Sequence, residues 1–248
     1  MFFLATVPDP IGRVDGVLRE AAVEAVSVAV CGVGSGRSAG YGDGVYETAS
    51  IVKVDILAAL LLQAEDAGRR LTARERTHAT AMIEHSDNDS ASALWRSIGG
   101  ADGLDAANAR FGLRDTVGGD GTLWGLTRTT AADQLTLLRQ VFGDDSRLGA
   151  ASRAYLRTLM GRIAEGQDWG VSAAADGSAW ALKNGWLPRG TTGLWVVNSI
   201  GRVTAGGHDY LVAALSNGSA TKERGIALVE VAAREAVAAF RGSASRRD

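Results

Sequence analysis

From Ile51 to Leu61 the chain is apolar on nearly every side of a helical wheel. Ile51, Val54, Ile56, Leu57, Leu60 and Leu61 leave no broad polar face. A helix of that kind has to lie at the centre of a domain, with other elements packed round it. The sequence that follows supplies them. After a stop near Gly68, Thr72 and Glu75 stand at capping-box spacing and open a helix to about His85. Asp89 to Ile98, closed by Gly99-Gly100, is another, and Ala101 to Phe111 a third. Residues 112–126 are Gly-rich and irregular. Thr129-Thr130-Ala131-Ala132-Asp133 then opens a helix to Phe142, and one more runs from Ala151 to Ile163.

The two ends of the chain are patterned differently. Residues 10–23 carry Ile11, Val14, Val17, Leu18 and Ala21 at helical spacing. Val26, Val28 and Val30 alternate with Ser27 and Ala29, which predicts a strand running to Cys31. Gly32 to Gly44 holds six glycines and reads as a turn to a second strand near Val45-Tyr46. Near the other end Ala179 to Lys183, Gly193 to Val203 and Tyr210 to Ser216 read as strands, and Thr221 to Phe240 as an amphipathic helix. The expected architecture is α/β in the α+β sense: an antiparallel sheet flanked by the terminal helices, plus an all-α lobe. We expect one domain over residues 1–248, with an α/β lobe at 1–48 and 167–248 and the all-α lobe at 49–166. The cleft between lobes is the expected place for a site.

Bulk properties exclude several classes of function. A formal net charge of −2 and no basic block argue against nucleic acid or an anionic membrane as partner. The short Ser-rich tail Arg241 to Arg247 does not change that. No segment approaches membrane-spanning length. The start lacks the basic and apolar regions of a signal peptide, so the compartment stays open: cytoplasmic, or reached through a leader not in this sequence. Cys31 is alone, which rules out a disulfide within the chain and points to a small buried residue. His78, His85 and His208 have no metal-ligand spacing, and no metal or cofactor is expected. A monomer is expected.

Three short motifs carry candidate chemistry. Ser50-Ile51-Val52-Lys53 puts a hydroxyl and an amine on one helical face. Ser50 sits where a helix begins, near free N–H groups and the positive end of its dipole. Lys53 lies one turn on among apolar residues, where burial lowers a lysine pKa and leaves an amine able to take a proton. Ser86-Asp87-Asn88 falls in a break between helices; Ser86 can relay a proton, and Asn88 can hold Lys53 and a substrate carbonyl. Lys183-Asn184-Gly185 ends a strand. There Lys183 can bind a carboxylate or tune Ser86, and Gly185 lets a substrate backbone lie close. The N–H groups of Ser50 and Trp186 can form an oxyanion hole. Each motif alone also has an ordinary reading: an N-cap, a helix connection, a strand end running into a Pro188 turn.

Taken together and in this order, the chain resembles the penicillin-recognising serine hydrolases, and among them the class A β-lactamases. His85 to Leu94 through Ile98-Gly99-Gly100, and then Thr129 to Asp133, look similar too. The resemblance covers roughly residues 12–240 and implies an α/β sandwich, an all-α lobe and a covalent acyl-enzyme. It implies Ser50 as nucleophile, Lys53 as its base or relay, Ser86 as proton shuttle and Lys183 as anion partner. Asn88, Asn184, Gly185 and Trp186 would be substrate-binding.

The chain also departs from that family. Class A enzymes carry a deacylating glutamate in a loop between the second and third motifs. Here the stretch from Phe111 to Arg128 has no glutamate, only Asp115 and Asp120, and is short. Ser50 and Ser86 are only 36 residues apart, which trims the helical lobe. Asn184 replaces the usual Thr or Ser, and Trp124 and Trp186 would line the cleft. Arg189 is either an acid-binding group or a solvated turn residue. The expectation is a serine hydrolase that acylates Ser50 with an amide or ester donor, such as a peptidoglycan-type peptide, with weak or no β-lactam turnover. A true β-lactamase and a non-catalytic binding module on the same scaffold are the alternatives.

Overall fold

The structure of the protein, a computed structural model, describes residues 25–177 and 179–244. The helix expected over residues 10–23 lies outside them. In chain order the strands are β1 (Ala25–Gly32), β2 (Ser38–Tyr41), β3 (Tyr46–Glu47), β4 (Arg128–Thr129), β5 (Trp180–Pro188), β6 (Trp195–Ala205) and β7 (His208–Ser219). The helices are α1 (Val52–Asp66), α2 (Ala73–Glu84), α3 (Asn88–Ile98), α4 (Gly100–Phe111), α5 (Ala131–Phe142), α6 (Ala150–Met160) and α7 (Lys222–Ala244). Five strands form one antiparallel sheet in the order β2-β1-β7-β6-β5, which makes β5 an edge.

Alternation along the strands gives the sheet two apolar faces. Val28, Val30, Val212 and Ala214 pack with Val229, Ala232, Ala233 and Ala236 of α7. Ala29, Cys31, Leu211, Ala213 and Leu215 turn the other way and join the core of the helical lobe. Cys31 is buried and unpaired, as its apolar surroundings predict. No helix among the described residues is long and apolar enough to cross a membrane.

Two expectations about strands are corrected. The partner of β1 is not Val45-Tyr46 but Ser38–Tyr41, inside the Gly-rich stretch. Tyr46–Glu47 pairs instead with Arg128–Thr129 in a separate two-stranded ribbon. β5 does not stop at Lys183 either; it continues to Pro188, so the third motif lies mid-strand. An edge strand tolerates a proline at its end, because the missing N–H costs no ladder bond.

Helix α1 occupies the centre, as its all-round apolarity demands. Every residue from Ile51 to Leu62 is buried, including Lys53 and Asp55. A charged residue so placed must change its protonation or find partners. Asp55 does the former. One carboxyl oxygen accepts a 3.4 Å bond from Gln134 Nε2 of α5, and the other has no partner among the described residues. Burial raises its pKa to about 7, against the Gln134 hydrogen bond and with help from the nearby Asp133.

This has a stability consequence. With the folded pKa above the unfolded value, Asp55 favours the fold while protonated, and that contribution is lost as pH rises from about 4 through 7. Asp55→Asn removes the loss. The variant's stability advantage over the parent is expected to grow by on the order of 3 kcal/mol between pH 4 and 8. Urea denaturation of both proteins across that range measures it. A pH-independent difference would place no titration at Asp55.

Candidate active site

The nucleophile candidate is set by a strained turn. Ala49 to Ile51 form a short 3-10 turn directly ahead of α1, and Ala49 has φ +46°. A residue with a Cβ rarely adopts that conformation unless its surroundings impose it. They are visible here. Thr48 N–H donates to Thr127 O at 2.8 Å. Asn198, from the middle of β6, donates to Glu47 O at 2.8 Å and Thr48 O at 3.0 Å. Its own amide oxygen accepts from Ser216 N–H of β7 at 3.1 Å. Asn198 therefore ties the approach to Ser50 to the sheet. It was not singled out from sequence, although an asparagine in the apolar run Val196 to Ile200 is the kind of signal that marks such a tie.

Gly185 completes this contact. A Cβ there would fall 2.7 Å from Ser50 N, 2.7 Å from Thr48 O and 2.8 Å from Ile51 N. Only glycine lets β5 lie this close to the Ser50 backbone.

The second motif meets the first at Lys53. Ser86 has φ +57°, and in that conformation its carbonyl and hydroxyl both reach one amine. Lys53 Nζ donates to Ser86 O at 2.6 Å and Asn88 Oδ1 at 2.8 Å, and stands 3.1 Å from Ser86 Oγ. A neutral amine has two N–H donors and one lone pair. With both donors on the two carbonyl-type oxygens, the lone pair is free for a hydroxyl proton. Burial holds the Lys53 pKa down to about 7, opposed by the charge of Asp87. Asp87 itself caps α3, accepting from Ser90 N–H at 2.7 Å, and those bonds hold its carboxyl below the usual range.

Lys183 reaches the same hydroxyl from the sheet. Its Nζ donates to Ser86 Oγ at 3.0 Å and to Asn184 O at 3.0 Å. Burial, reinforced by the charge of Lys53, pushes its pKa well below the lysine range. Ser50, Lys53, Ser86, Asn88, Lys183 and Gly185 thus come together where α1, the α2–α3 connection and β5 meet.

Two expected substrate contacts have other partners. Asn184 is buried, and its amide N–H groups donate to Gln167 O at 2.8 Å and Trp169 O at 2.9 Å. It fastens the segment before the Val171–Ala174 turn to β5, and no N–H remains for a substrate carboxylate. The Trp186 ring packs on Trp169, with centroids 5.8 Å apart, and Lys222 of α7 sits 4.0 Å above it. Its side chain belongs to the α7 face, which leaves its backbone N–H as the group to consider. Arg189 is neither free nor simply solvated: it pairs with Glu47 at 2.6 Å. His85 is exposed and ends α2, and no cluster of metal-binding side chains occurs among the described residues.

Trp124 does reach the site. Its ring lies 4.9 Å from Lys53 Nζ, and its indole N–H donates to Ser92 Oγ at 3.1 Å. The 3-10 turn Trp124–Leu126 belongs to the short stretch without glutamate, and Asp115 and Asp120 in that stretch are exposed.

Comparison with known proteins gives the family and the fold. The family model described as the beta-lactamase enzyme family matches residues 62–240, a span that holds the second and third motifs and begins beyond Lys53. The chain therefore belongs to the beta-lactamase enzyme family and is a serine hydrolase on the β-lactamase and penicillin-binding fold. Among solved structures it is similar to PBP-A, at 23% identity and TM-score 0.80, over 94% of this chain and 96% of that one. It is also similar to a class A β-lactamase from Bacteroides cellulosilyticus, at 16% identity and TM-score 0.79, over 94% and 97%. A β-lactamase from Xanthomonas campestris aligns at 21% identity and TM-score 0.74, over 91% and 95%. At these identities the likeness is one of fold. No curated protein matches the chain.

Proposed function

We propose that the protein forms a covalent acyl-enzyme on Ser50, taking an amide or ester acyl donor such as a peptidoglycan-type peptide, and turns over β-lactams weakly or not at all. Neutral Lys53 takes the Ser50 Oγ proton as the oxygen attacks the carbonyl carbon. The backbone N–H groups of Ser50 and Trp186 hold the developing oxyanion. The bond to the leaving nitrogen or oxygen then breaks, and Ser86 passes a proton from Lys53 to it. Lys183 holds Ser86 in place for that transfer. The reading takes the chain as one monomeric domain of two lobes, with the site between them.

The observation that carries it is the three-way contact at Ser86, whose hydroxyl meets Lys53 at 3.1 Å and Lys183 at 3.0 Å. Two buried lysines sharing one serine are costly to keep as mere packing. The solved neighbour PBP-A supports acylation on this fold, since one of its mutants was seen as an acyl-enzyme complex with penicillin G. Slow release is supported by the stretch Phe111 to Arg128, which sets an indole ring over Lys53 and has no glutamate to activate water.

Incubation with a fluorescent penicillin, followed by intact mass over time, tests both halves. A single adduct on Ser50 that persists for minutes or longer is expected, and none on Ser50→Ala. Release within seconds would make the protein a working β-lactamase. No adduct on a folded protein would remove penicillins from its acyl donors.

A further inference from the structure

A cavity lies at the far end of α1, away from the three motifs. It has a volume of about 590 Å³ and opens between the end of α1, the start of α2 and the first turns of α6. Leu61, Ala64, Leu71 and Tyr155 make its apolar wall. Leu61 is eight residues beyond Lys53, which puts the cavity on the order of 12 Å along the helix from the amine. None of the motif residues lines it.

The charges round this cavity are unbalanced. Arg69, Arg70 and Arg76 stand on its rim, against a single acid, Glu65. Glu65 is already committed to α6. Its two oxygens accept from Gly149 N–H at 3.1 Å each, and one accepts from Ser152 Oγ at 2.5 Å. Its charge thus sits at the N-terminus of α6, where the helix dipole favours it. Arg69 is held in a two-pronged pair with Glu75, at 2.9 and 3.0 Å. Arg76 donates through one N–H to Leu71 O. The Arg70 guanidinium is exposed and has no side-chain partner among the described residues.

We propose that this cavity is a binding site for a small amphipathic carboxylate, with the apolar chain against Leu61, Leu71 and Tyr155 and the anionic head on Arg70. Guanidinium and carboxylate match in charge and in their planar two-point geometry. The volume falls within the usual range of small-ligand pockets and leaves room for a short acyl chain. The proposal does not depend on the acyl-enzyme reading, since no residue of that site takes part.

Calorimetric titration of the full chain with sodium octanoate tests it, with octan-1-ol as the uncharged comparison. Saturable one-to-one binding is expected, with a Kd on the order of 1 mM or tighter. Arg70→Glu reverses an exposed charge, and Ala151→Trp fills the cavity from the first turn of α6. Each is expected to weaken octanoate by about tenfold or more while circular dichroism and the thermal midpoint stay unchanged. Octan-1-ol is expected to bind at least about fivefold more weakly than octanoate. Absence of saturable binding would overturn the proposal. So would octanoate binding undiminished in both variants, or octan-1-ol binding as tightly as octanoate.

Discussion

Lys53→Ala is expected to slow acylation of Ser50 by on the order of 10³-fold and to erase a pH dependence that the parent protein shows. The parent needs the neutral amine. Burial sets the Lys53 pKa to about 7, so the acylation rate should fall about tenfold per pH unit below that point and level off above it. At pH 5 the rate should be about one hundredth of its plateau. The direction follows from desolvation, which penalises the ammonium and not the amine. Stopped-flow acylation with a chromogenic penicillin between pH 5 and 9 reads both effects. A variant that is slow but keeps the same pH limb would assign the proton transfer to another group.

The parts of this site that the sequence makes legible are those carried by local pattern. Lys53 is recognisable because it interrupts an otherwise mostly apolar helix one turn after Ser50. Ser86 is recognisable because a polar triplet interrupts two helices. The apolar period of α1 alone fixes its central place. What the sequence hides depends on distant partners. Ser38 to Tyr41 has neither alternation nor β-branched residues, and pairs with β1 only because a neighbouring strand offers free backbone groups. The amide of Asn184 reads as a substrate donor until the carbonyls of Gln167 and Trp169 are found to claim it. Trp186 follows the motif glycine in sequence, yet strand alternation and the Trp169–Lys222 pair take its ring to the α7 side.

Backbone strain is the other hidden quantity. Ala49 and Ser86 are the described non-glycine residues with positive φ, and both lie in the site. Neither is a residue type that announces a left-handed conformation. The cost, on the order of 1–3 kcal/mol for each, is met by contacts from elsewhere in the fold. For Ala49 these include the Asn198 and Thr127 bonds to its neighbours. Strain of this kind arises when tertiary contacts override local preference, and so no reading of local pattern finds it.

Gly185→Ala is the variant that tests whether this held geometry matters. The added methyl would meet three backbone atoms, Ser50 N and Thr48 O at 2.7 Å and Ile51 N at 2.8 Å. No flexible side chain can yield there, so either β5 or the Ser50 turn has to move. The turn is tied to β6 through Asn198 and β5 is paired to β6 along its length, so the displacement falls on the gap between them. Overpacking of this sort costs about 1–3 kcal/mol of stability. Its effect on chemistry should be larger, because that gap separates the two proposed oxyanion donors, Ser50 N–H and Trp186 N–H. Misplacement by a sizeable fraction of an ångström is expected to lower the acylation rate by on the order of 10²-fold. The pH midpoint set by Lys53 should stay where it is, since its bonds to Ser86 and Asn88 do not cross the gap. Gly190→Ala serves as control, because a Cβ there meets nothing within 4 Å. Equal acylation rates in the two glycine variants would mean that the close approach of β5 to Ser50 contributes to packing and not to the reaction.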